Sequence, residues 1–379
     1  MFSVILYYKS HIMQPLVFTI NTNMKCKWPS NHVSISSTGK YRPCCAWEEQ
    51  DDQVDIATNS IDDYLNSKFY KNLMADMKAD KFAVGCTECI LDEKAGIEGM
   101  VQTGESRYPD QEEFNLNDME IKFGNVCNAG CIMCSAYNSS LLESENKSNP
   151  ELEIFRVFSN SAPIKWFEND DKFKEIVQFA SKAKRIRFTG GEPTVRGLLD
   201  EFLHQLVELN PNIYIQITSN GSSFSKRLQE TLKKFVHVSI HVSIDAYGKA
   251  NDFIRWPLTW NKIERNVDKM LEYNNVWVYV ETSLQAGGID SIPQLIEWCN
   301  TRKIEWSVNS VYKPEHLQPF LAQPHIIEKA KSLNNKKLNK LLEFNSTQDD
   351  YNDLREKMIN YYDTLSAIRK IDWKECLDV

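Results

Sequence analysis

Six segments between residues 119 and 309 alternate apolar and polar residues with a period of two. They are MEIKF (119–123), RIRFT (185–189), IYIQITSN (213–220), VHVSIHVSID (236–245), VWVYVETSL (276–284) and IEWSVN (304–309). Because neighbouring residues of a strand point to opposite faces of a sheet, the pattern predicts one apolar face and one polar face. Apolar residues at helical spacing lie between the segments, and strand–helix alternation indicates parallel βα units.

The polar face restricts which parallel sheet this chain can form. Parallel strands that are buried on both faces form nearly continuous apolar runs, which these segments do not. A curved sheet with helices outside and a polar lumen satisfies both patterns. The alternative is a flat antiparallel sheet with one solvated face, and the helical stripes count against it. In barrels of parallel strands, active sites lie at the C-terminal ends of the strands.

The first segment leads into a short loop that carries three cysteines. This loop, GNVCNAGCIMCS at residues 124–135, contains Cys127, Cys131 and Cys134. Three thiolates this close can bind one metal centre, and the two glycines of the loop permit the tight backbone path. The C-x3-C-x2-C spacing differs from the C-x2-C runs of ferredoxins and from the paired C-x2-C motifs of structural zinc. The alternatives are a zinc loop and three unrelated thiols.

This loop is similar to the signature loop of radical S-adenosylmethionine (SAM) enzymes. The resemblance implies that Cys127, Cys131 and Cys134 hold three irons of a [4Fe-4S] cluster whose fourth iron binds SAM. It also implies that the six βα units form a partial (β/α)6 barrel. In this family the cluster reduces SAM, which releases a 5′-deoxyadenosyl radical that abstracts hydrogen from the substrate.

Polar motifs follow the next strands, where the resemblance implies contacts to SAM. Thr189-Gly190-Gly191-Glu192-Pro193 ends the second strand and is similar to the GGEP motif of the family, which contacts the amino group of SAM. An arginine beyond the fourth strand is expected to pair with the SAM carboxylate, because guanidinium binds carboxylate bidentately; a surface arginine is the alternative. The expected cofactor-binding residues are Gly190, Gly191, Glu192, Pro193, Ser219, Asn220, Ser243, Asp245 and Arg255.

Five cysteines precede the strand–helix region. They are Cys26, Cys44, Cys45, Cys86 and Cys89. The turn residues 36–40 between HVSIS and KYRPCC predict a hairpin, and Ser60 predicts the start of a helix. A fold this short between two groups of thiols can be stabilised by a metal centre.

This region resembles the auxiliary-cluster domains of radical SAM enzymes, called SPASM and, in shortened form, twitch. The shared pattern is an early Cys26, then Gly39-x4-Cys44, then Cys86-x2-Cys89. The resemblance implies one auxiliary iron–sulfur cluster, with either Cys44 or Cys45 as a ligand. Its position before the catalytic region departs from the family, which usually carries it afterwards. A structural zinc site with four cysteine ligands is the alternative.

These features predict four regions. Residues 1–95 form the auxiliary-cluster domain, 96–118 an irregular linker, 119–310 the partial barrel and 311–379 a helical extension. The ten cysteines are mostly clustered, which indicates metal ligands rather than disulfides. No apolar run reaches the roughly 18 residues of a membrane span, and the start of the chain lacks the basic region of a signal peptide. A cytoplasmic protein without membrane contact is therefore expected.

The expected function is that of a radical SAM enzyme that modifies a peptide or protein and receives electrons from a flavodoxin or ferredoxin. The net charge of −8 argues against a large non-specific nucleic-acid surface. The alternatives are a radical SAM enzyme acting on a nucleotide, tRNA or small molecule, and a zinc-binding interaction protein without enzymatic activity. His241, Tyr279 and Glu281 are candidates for lumen residues.

Overall fold

The structure is a computed structural model, and it describes residues 26–50, 52–79, 81–95, 99–108, 113–156, 165–343 and 348–379. The first 25 residues of the predicted auxiliary-cluster domain lie outside the described residues. None of the helices in these ranges is long and apolar enough to cross a bilayer.

One open sheet of eight strands organises the chain, in the order β2-β1-β3-β4-β5-β6-β7-β8. β1 pairs with β2 in the antiparallel sense, and every later neighbouring pair is parallel. The six predicted strands are β3 to β8, so the prediction of a partial barrel is confirmed and the antiparallel alternative is wrong. The strands are β1 (His32–Ile35), β2 (Tyr41–Arg42), β3 (Asp118–Lys122), β4 (Arg185–Thr189), β5 (Tyr214–Ser219), β6 (His237–Ser243), β7 (Val276–Leu284) and β8 (Glu305–Ser310).

The two faces of the sheet differ as the alternation predicts. In β7, Val276, Val278 and Val280 are buried beneath helices. Trp277, which lies between the first two of these valines, points to the other face and is 44% exposed. Each fully buried aliphatic side chain contributes about 1.5–3 kcal/mol, so the apolar face fixes which side the helices cover. The helices that join the barrel strands are α6 (Ser140–Ser148), α7 (Asp170–Ala180), α8 (Leu198–Leu209), α9 (Lys226–Leu232), α10 (Lys249–Ile254), α11 (Trp260–Met270) and α12 (Ile292–Thr301).

The N-terminal region contains the predicted hairpin, β1–β2, and short helices. Ser60 caps α2: its hydroxyl accepts a hydrogen bond from the backbone of Asp63, whose carboxylate accepts one from the backbone of Ser60. Ser67 ends this helix and caps the next one. The helices are α1 (Trp28–Asn31), α2 (Ile61–Asn66), α3 (Lys68–Lys78), α4 (Thr87–Ala95) and α5 (Met100–Arg107).

The N-terminal region is joined to the barrel through the sheet itself. β1 pairs with β3 over four residues, from His32 opposite Asp118 to Ile35 opposite Ile121. The predicted linker, 96–118, is not wholly irregular, because it contains α5 and begins β3. The boundaries of the four predicted regions therefore stay a prediction, and strands from the first and third regions lie in one sheet.

The C-terminal region is helical, as predicted. Its helices are α13 (Pro324–Lys331), α14 (Lys336–Leu342) and α15 (Gln348–Arg369). Met358, Tyr361, Tyr362 and Leu365 of α15 are each 0% exposed, so one face of this helix is fully covered. The extension is thus part of the main core rather than an appendage.

Candidate metal and cofactor centre

The cysteine loop leaves β3 at the C-terminal edge of the sheet. The side chains of Cys127, Cys131 and Cys134 lie close enough to act electrostatically on one another. Burial raises the pKa of the Cys127 thiol and of the Cys134 thiol to about 12. Because metal ligands must be thiolates, binding of a metal centre has to release these protons.

Backbone hydrogen bonds hold this loop against the segment that follows β6. The amide of Gly130 donates to the carbonyl oxygen of Trp256 at 2.6 Å, and the amide of Ile132 donates to that of Ile254 at 2.9 Å. On the opposite flank, the Ser139 hydroxyl donates to the carbonyl oxygen of Ala129 at 2.7 Å. These hydrogen bonds attach the loop to the segments on both of its flanks.

Helix α15 also holds the loop, through side chains that sequence analysis missed. Arg369 Nη2 donates to the carbonyl oxygen of Gly130 at 2.7 Å, and the Tyr361 hydroxyl donates to that of Ile132 at 2.9 Å. Residue 369 lies 239 positions beyond Gly130 in the chain. Nothing in the local pattern of α15 indicates this contact, because it depends on how the helix packs.

A buried carboxylate on α6 holds Arg369 in place. Glu145 accepts hydrogen bonds from Arg369 Nε at 2.8 Å and from Nη2 at 2.9 Å, and its Oε2 lies 2.6 Å from Arg156 Nη1. The side chains of all three residues are at most 6% exposed. Burial alone would raise the pKa of Glu145, but the two guanidinium groups outweigh it and lower that pKa. This buried cluster ties α6 and α15 to the cysteine loop.

The two glycines of the GGEP motif contact the cysteine loop. A Cβ atom on Gly191 would lie 2.2 Å from the carbonyl oxygen of Val126, and Gly190 has a φ of +105°. The next amide, that of Glu192, donates to the same carbonyl oxygen at 2.8 Å. The glycines thus permit close approach of two backbone segments, a requirement that the sequence pattern alone does not specify.

Glu192 is an internal acceptor at the centre of the motif. Its carboxylate is 3% exposed and accepts hydrogen bonds from the Ser219 hydroxyl at 2.8 Å and from the Asn220 amide at 2.6 Å. Thr194 donates to it as well. Burial raises the pKa of Glu192. The structure therefore brings the expected residues Glu192, Ser219 and Asn220 together, with Pro193 next in the chain, and their contacts to SAM stay a prediction.

Asn128, which sequence analysis did not select, links this group to the cysteine loop. Its side-chain oxygen accepts from Asn220 Nδ2 at 2.9 Å, and its Nδ2 donates to the Ser222 hydroxyl at 2.9 Å. An asparagine between two cysteines of a loop has no signal of its own in a single sequence.

Asp245 and Arg255 bond to each other. Asp245 Oδ2 lies 2.7 Å from Arg255 Nε, and Asp245 Oδ1 accepts a hydrogen bond from the Ser283 amide at 2.8 Å. Arg255 Nη1 lies 3.8 Å from the sulfur of Cys131. The expected contacts of both residues with SAM remain predictions, but their charges face each other and the cysteine loop. Ser243 lies opposite Glu281 in the register of β6 and β7.

Four of the five N-terminal cysteines line one small cavity. Cys26, Cys44, Cys86 and Cys89 surround it together with Trp47. Burial raises the pKa of Cys26 to about 12 and that of Cys86 to about 11. Four thiols around one cavity fit a centre whose coordination is completed by protein.

Cys45 does not line this cavity. Its sulfur lies 3.9 Å from Met100 Sδ, and its thiol lies near the guanidinium group of Arg187 on β4. The geometry therefore favours Cys44 over Cys45 as the fourth ligand. Cys44 thus faces the cavity and Cys45 faces the barrel. Their adjacency in the sequence does not reveal this difference in direction.

Several charged side chains on the polar face of the sheet have partners on neighbouring strands. Glu120 of β3 accepts hydrogen bonds from Ser34 at 2.9 Å and from Thr189 at 2.8 Å, and it forms an ion pair with Arg187 at 3.4 Å. On β6 and β7, His241 Nδ1 lies 2.7 Å from Glu281 Oε1. The lumen is thus polar, but these charges are balanced internally.

Comparison with known proteins agrees with this geometry. Residues 121–299 match the model of the radical SAM superfamily, and residues 26–90 match that of the SPASM iron–sulfur cluster-binding domain. This chain belongs to the radical SAM superfamily. The predicted order, with the SPASM domain before the barrel, is confirmed.

Individual relatives of this radical SAM chain match over part of their length. GTP 3′,8-cyclase of Helicobacter pylori (strain HPAG1) is 26% identical over 175 residues, which are 42% of this chain and 52% of the relative. Molybdenum cofactor biosynthesis protein 1 of Dictyostelium discoideum is 24% identical over 189 residues, or 49% of this chain and 27% of the relative. The chain thus spans about half or less of the length of these curated relatives.

A solved structure of SuiB from Streptococcus suis, bound to the precursor peptide SuiA, also overlaps this radical SAM chain. The two sequences are 16% identical, and the overlap covers 68% of this chain and 60% of the SuiB chain with a TM-score of 0.40. An overlap of this extent does not permit residue-by-residue comparison.

The cofactors of this radical SAM enzyme are iron–sulfur clusters of the [4Fe-4S] type and SAM. The donor sets fit: the cysteine loop offers three thiols, which leave one iron open, and the SPASM cavity offers four. Among the described residues, no three His, Cys, Asp or Glu side chains are close enough to hold a single metal ion. A four-iron cluster holds its ligands farther apart, so this spacing is compatible with it. The non-enzymatic zinc-binding interpretation is not supported, because the family is one of enzymes.

Proposed function

We propose that this radical SAM enzyme abstracts a hydrogen atom from a peptide or protein substrate in the lumen of its partial barrel. The bound cluster and SAM supply the hydrogen-abstracting chemistry; the protein positions them and excludes water. In this proposal Cys127, Cys131 and Cys134 hold the cluster that binds SAM. The proposed auxiliary ligands are Cys26, Cys44, Cys86 and Cys89.

The pairing of charges in the lumen is the observation that carries the choice of substrate. Arg185 and Arg187 project from β4, but each faces a carboxylate of β3, Asp118 and Glu120 respectively. A nucleoside triphosphate needs cationic groups whose charge is available to its phosphates. These two arginines are already neutralised, which favours a substrate with little charge, such as a peptide segment.

The open edge of the sheet supports the same choice. In the part of the chain that the structure describes, β8 and β2 form the two edges of the sheet and are not paired with each other, so the barrel is not closed. A partial barrel of this kind admits a chain that extends beyond the lumen in both directions. A small nucleotide does not need such an opening.

The proposed SAM contacts are grouped around the ends of β4, β5 and β6. Gly190 and Pro193 flank the central pair of the GGEP motif, and Ser219, Asn220 and Ser243 lie at neighbouring strand ends. In this proposal Glu192 acts mainly by fixing Ser219 and Asn220, since it accepts hydrogen bonds from both.

Transfer of deuterium into 5′-deoxyadenosine tests the substrate class directly. Desalted extracts are prepared from two cultures of the source organism, one grown with deuterated amino acids and one with deuterated nucleosides. Each is incubated anaerobically with reconstituted enzyme, unlabelled SAM and dithionite, and the 5′-deoxyadenosine is analysed by mass spectrometry. The matched control is the enzyme in which Cys127, Cys131 and Cys134 are replaced by alanine.

A peptide substrate predicts deuterium transfer from the extract labelled with amino acids. Transfer only from the extract labelled with nucleosides, which retains RNA after desalting, would contradict the proposal and favour a nucleic-acid substrate. Consumption of added GTP would contradict it and favour a nucleotide substrate. That second candidate is kept because the matching relatives include GTP 3′,8-cyclases.

The proposed electron donor is a flavodoxin or ferredoxin, and the proposed location is the cytoplasm. All ten cysteines are free thiols, as a chain that assembles iron–sulfur clusters in a reducing compartment requires. Purified flavodoxin or ferredoxin with its reductase should replace dithionite in the deuterium assay.

A further inference from the structure

Two guanidinium groups approach Cys131 from different elements. Arg255, at the end of α10, places Nη1 3.8 Å from the Cys131 sulfur. Arg369, at the end of α15, donates from Nη2 to the carbonyl oxygen of Gly130, in the peptide that joins Gly130 to Cys131. Arg255 is 8% exposed and Arg369 is 7% exposed, so water screens neither charge strongly.

Carboxylates hold both groups without cancelling their charge. Asp245 pairs with Arg255, and Glu145 pairs with Arg369 but also with Arg156. Three guanidinium groups therefore share two carboxylates, which leaves this group of five side chains with one net positive charge.

One hydrogen-bond donor of Arg369 is not used within the described part of the protein. Its Nη1 atom is buried and has no hydrogen-bond partner among the residues that the structure describes. A buried N–H group without an acceptor is costly, typically about 1–3 kcal/mol, and is rare in folded proteins. An anionic iron–sulfur cluster on the adjacent loop is the class of acceptor that this donor lacks.

We propose that Arg255 and Arg369 raise the reduction potential of the cluster on the cysteine loop. Potentials of iron–sulfur clusters depend on net charge, on hydrogen bonds to sulfur and on solvent exposure. Reduction adds negative charge, which the two buried guanidinium groups stabilise. They act as positioning residues through Cys131, and the inference rests on the proposed assignment of this loop as the SAM-binding cluster site.

A redox titration of the reconstituted full-length enzyme, followed by electron paramagnetic resonance, tests this inference. The signal that changes when SAM is added identifies the cluster on the cysteine loop. In Arg255→Met, the ratio of reduced to oxidised cluster at a fixed potential should fall about tenfold, which is a shift of 59 mV to more negative potential for one electron. Arg255→Lys keeps the charge and should recover most of this shift.

The control is Arg302→Met, because Arg302 pairs with Glu264 and Asp268 on the helical exterior. Its midpoint potential should equal that of the wild type. An unchanged midpoint in Arg255→Met with normal iron content, or an equal shift in Arg255→Lys, would overturn the inference.

A second variant decides the matter if Arg255→Met binds no iron. Asp245→Asn removes the opposing negative charge and retains Arg255, so its midpoint should become more positive; an unchanged or more negative midpoint would overturn the inference. Failure of the proposed cluster assignment looks different, because the wild type would then form no SAM-responsive cluster at all.

Discussion

Arg369 donates a hydrogen bond to the carbonyl oxygen of Gly130 at 2.7 Å, so the last turn of the C-terminal helix is bonded to the loop that carries Cys127, Cys131 and Cys134. Tyr361, two turns earlier on the same helix, reaches Ile132 of that loop. The helical extension is therefore a structural part of the proposed cluster site. Its sequence distance from the loop conceals this role.

Glu145→Gln tests whether the buried ionic cluster supports the loop. The substitution leaves Arg156 and Arg369 buried without a carboxylate, and removal of one partner of a buried ion pair costs about 3–5 kcal/mol. The thermal midpoint of the reconstituted enzyme should fall, and the iron bound by the cysteine loop should decrease.

The matched control for that substitution is Glu153→Gln, which changes an exposed carboxylate of the segment that follows α6. It should retain the midpoint and the iron content of the wild type. Equal behaviour of the two variants would show that the buried cluster does not support the loop.

Gly191→Ala tests the close contact between the GGEP motif and the cysteine loop. The added Cβ would lie 2.2 Å from the carbonyl oxygen of Val126, so one of the two backbone segments must move. We expect loss of about four irons per chain, measured by metal analysis after anaerobic reconstitution. Gly197→Asn is the control, since its Cβ meets nothing within 4 Å and asparagine tolerates its φ of +70°; iron loss in both variants alike would contradict the steric explanation.

The strands of the barrel could be predicted from the sequence because each one shows, in its alternation of apolar and polar residues, which side chains lie on the buried face. The alternation in β5 to β8 arises from burial of one face, a local property that survives in a single sequence. The spacing of Cys127, Cys131 and Cys134 was equally informative, since a loop must supply all three ligands. Both features are short-range.

The contacts that the sequence did not reveal are long-range. Asp245 pairs with Arg255 within the protein. The family resemblance had implied a contact of Asp245 with SAM, and the chemistry of guanidinium had suggested a contact of Arg255 with the SAM carboxylate. Arg369, Tyr361 and Asn128 became visible only when distant segments were brought together. A single sequence does not show with which distant residue a buried polar group forms its hydrogen bond.

The two adjacent cysteines of the auxiliary region should respond differently to substitution. Cys44 lines the cavity with three other cysteines, whereas Cys45 contacts Met100 and Arg187. Cys44→Ser should lower the iron content by about four per chain, and Cys45→Ser should leave it unchanged. The reverse result would assign the fourth ligand to Cys45.

The buried His32 predicts a decrease in stability in mild acid. Burial lowers its pKa from 6.5 to about 4, despite the nearby carboxylates of Glu120 and Asp118. The contribution of neutral His32 to the unfolding free energy is therefore complete above pH 6.5, and it is lost as the pH falls towards 4. Between pH 7.5 and pH 5.5 the wild type should lose about 1.4 kcal/mol of unfolding free energy through this group.

Urea denaturation at these two pH values measures that loss. In His32→Gln the difference between the two pH values should shrink by this amount, while the exposed His325→Gln control should behave as the wild type. An unchanged difference in His32→Gln would show that His32 does not titrate across this range.

Production of 5′-deoxyadenosine tests the central claim most directly. The wild type and the variant with Cys127, Cys131 and Cys134 replaced by alanine are reconstituted anaerobically, analysed for iron, and incubated with SAM and dithionite. We expect about eight irons per chain and 5′-deoxyadenosine in the wild type, and about four irons and no 5′-deoxyadenosine in the variant. A wild type that binds stoichiometric zinc and leaves SAM intact, or a variant that still cleaves SAM, would contradict the account.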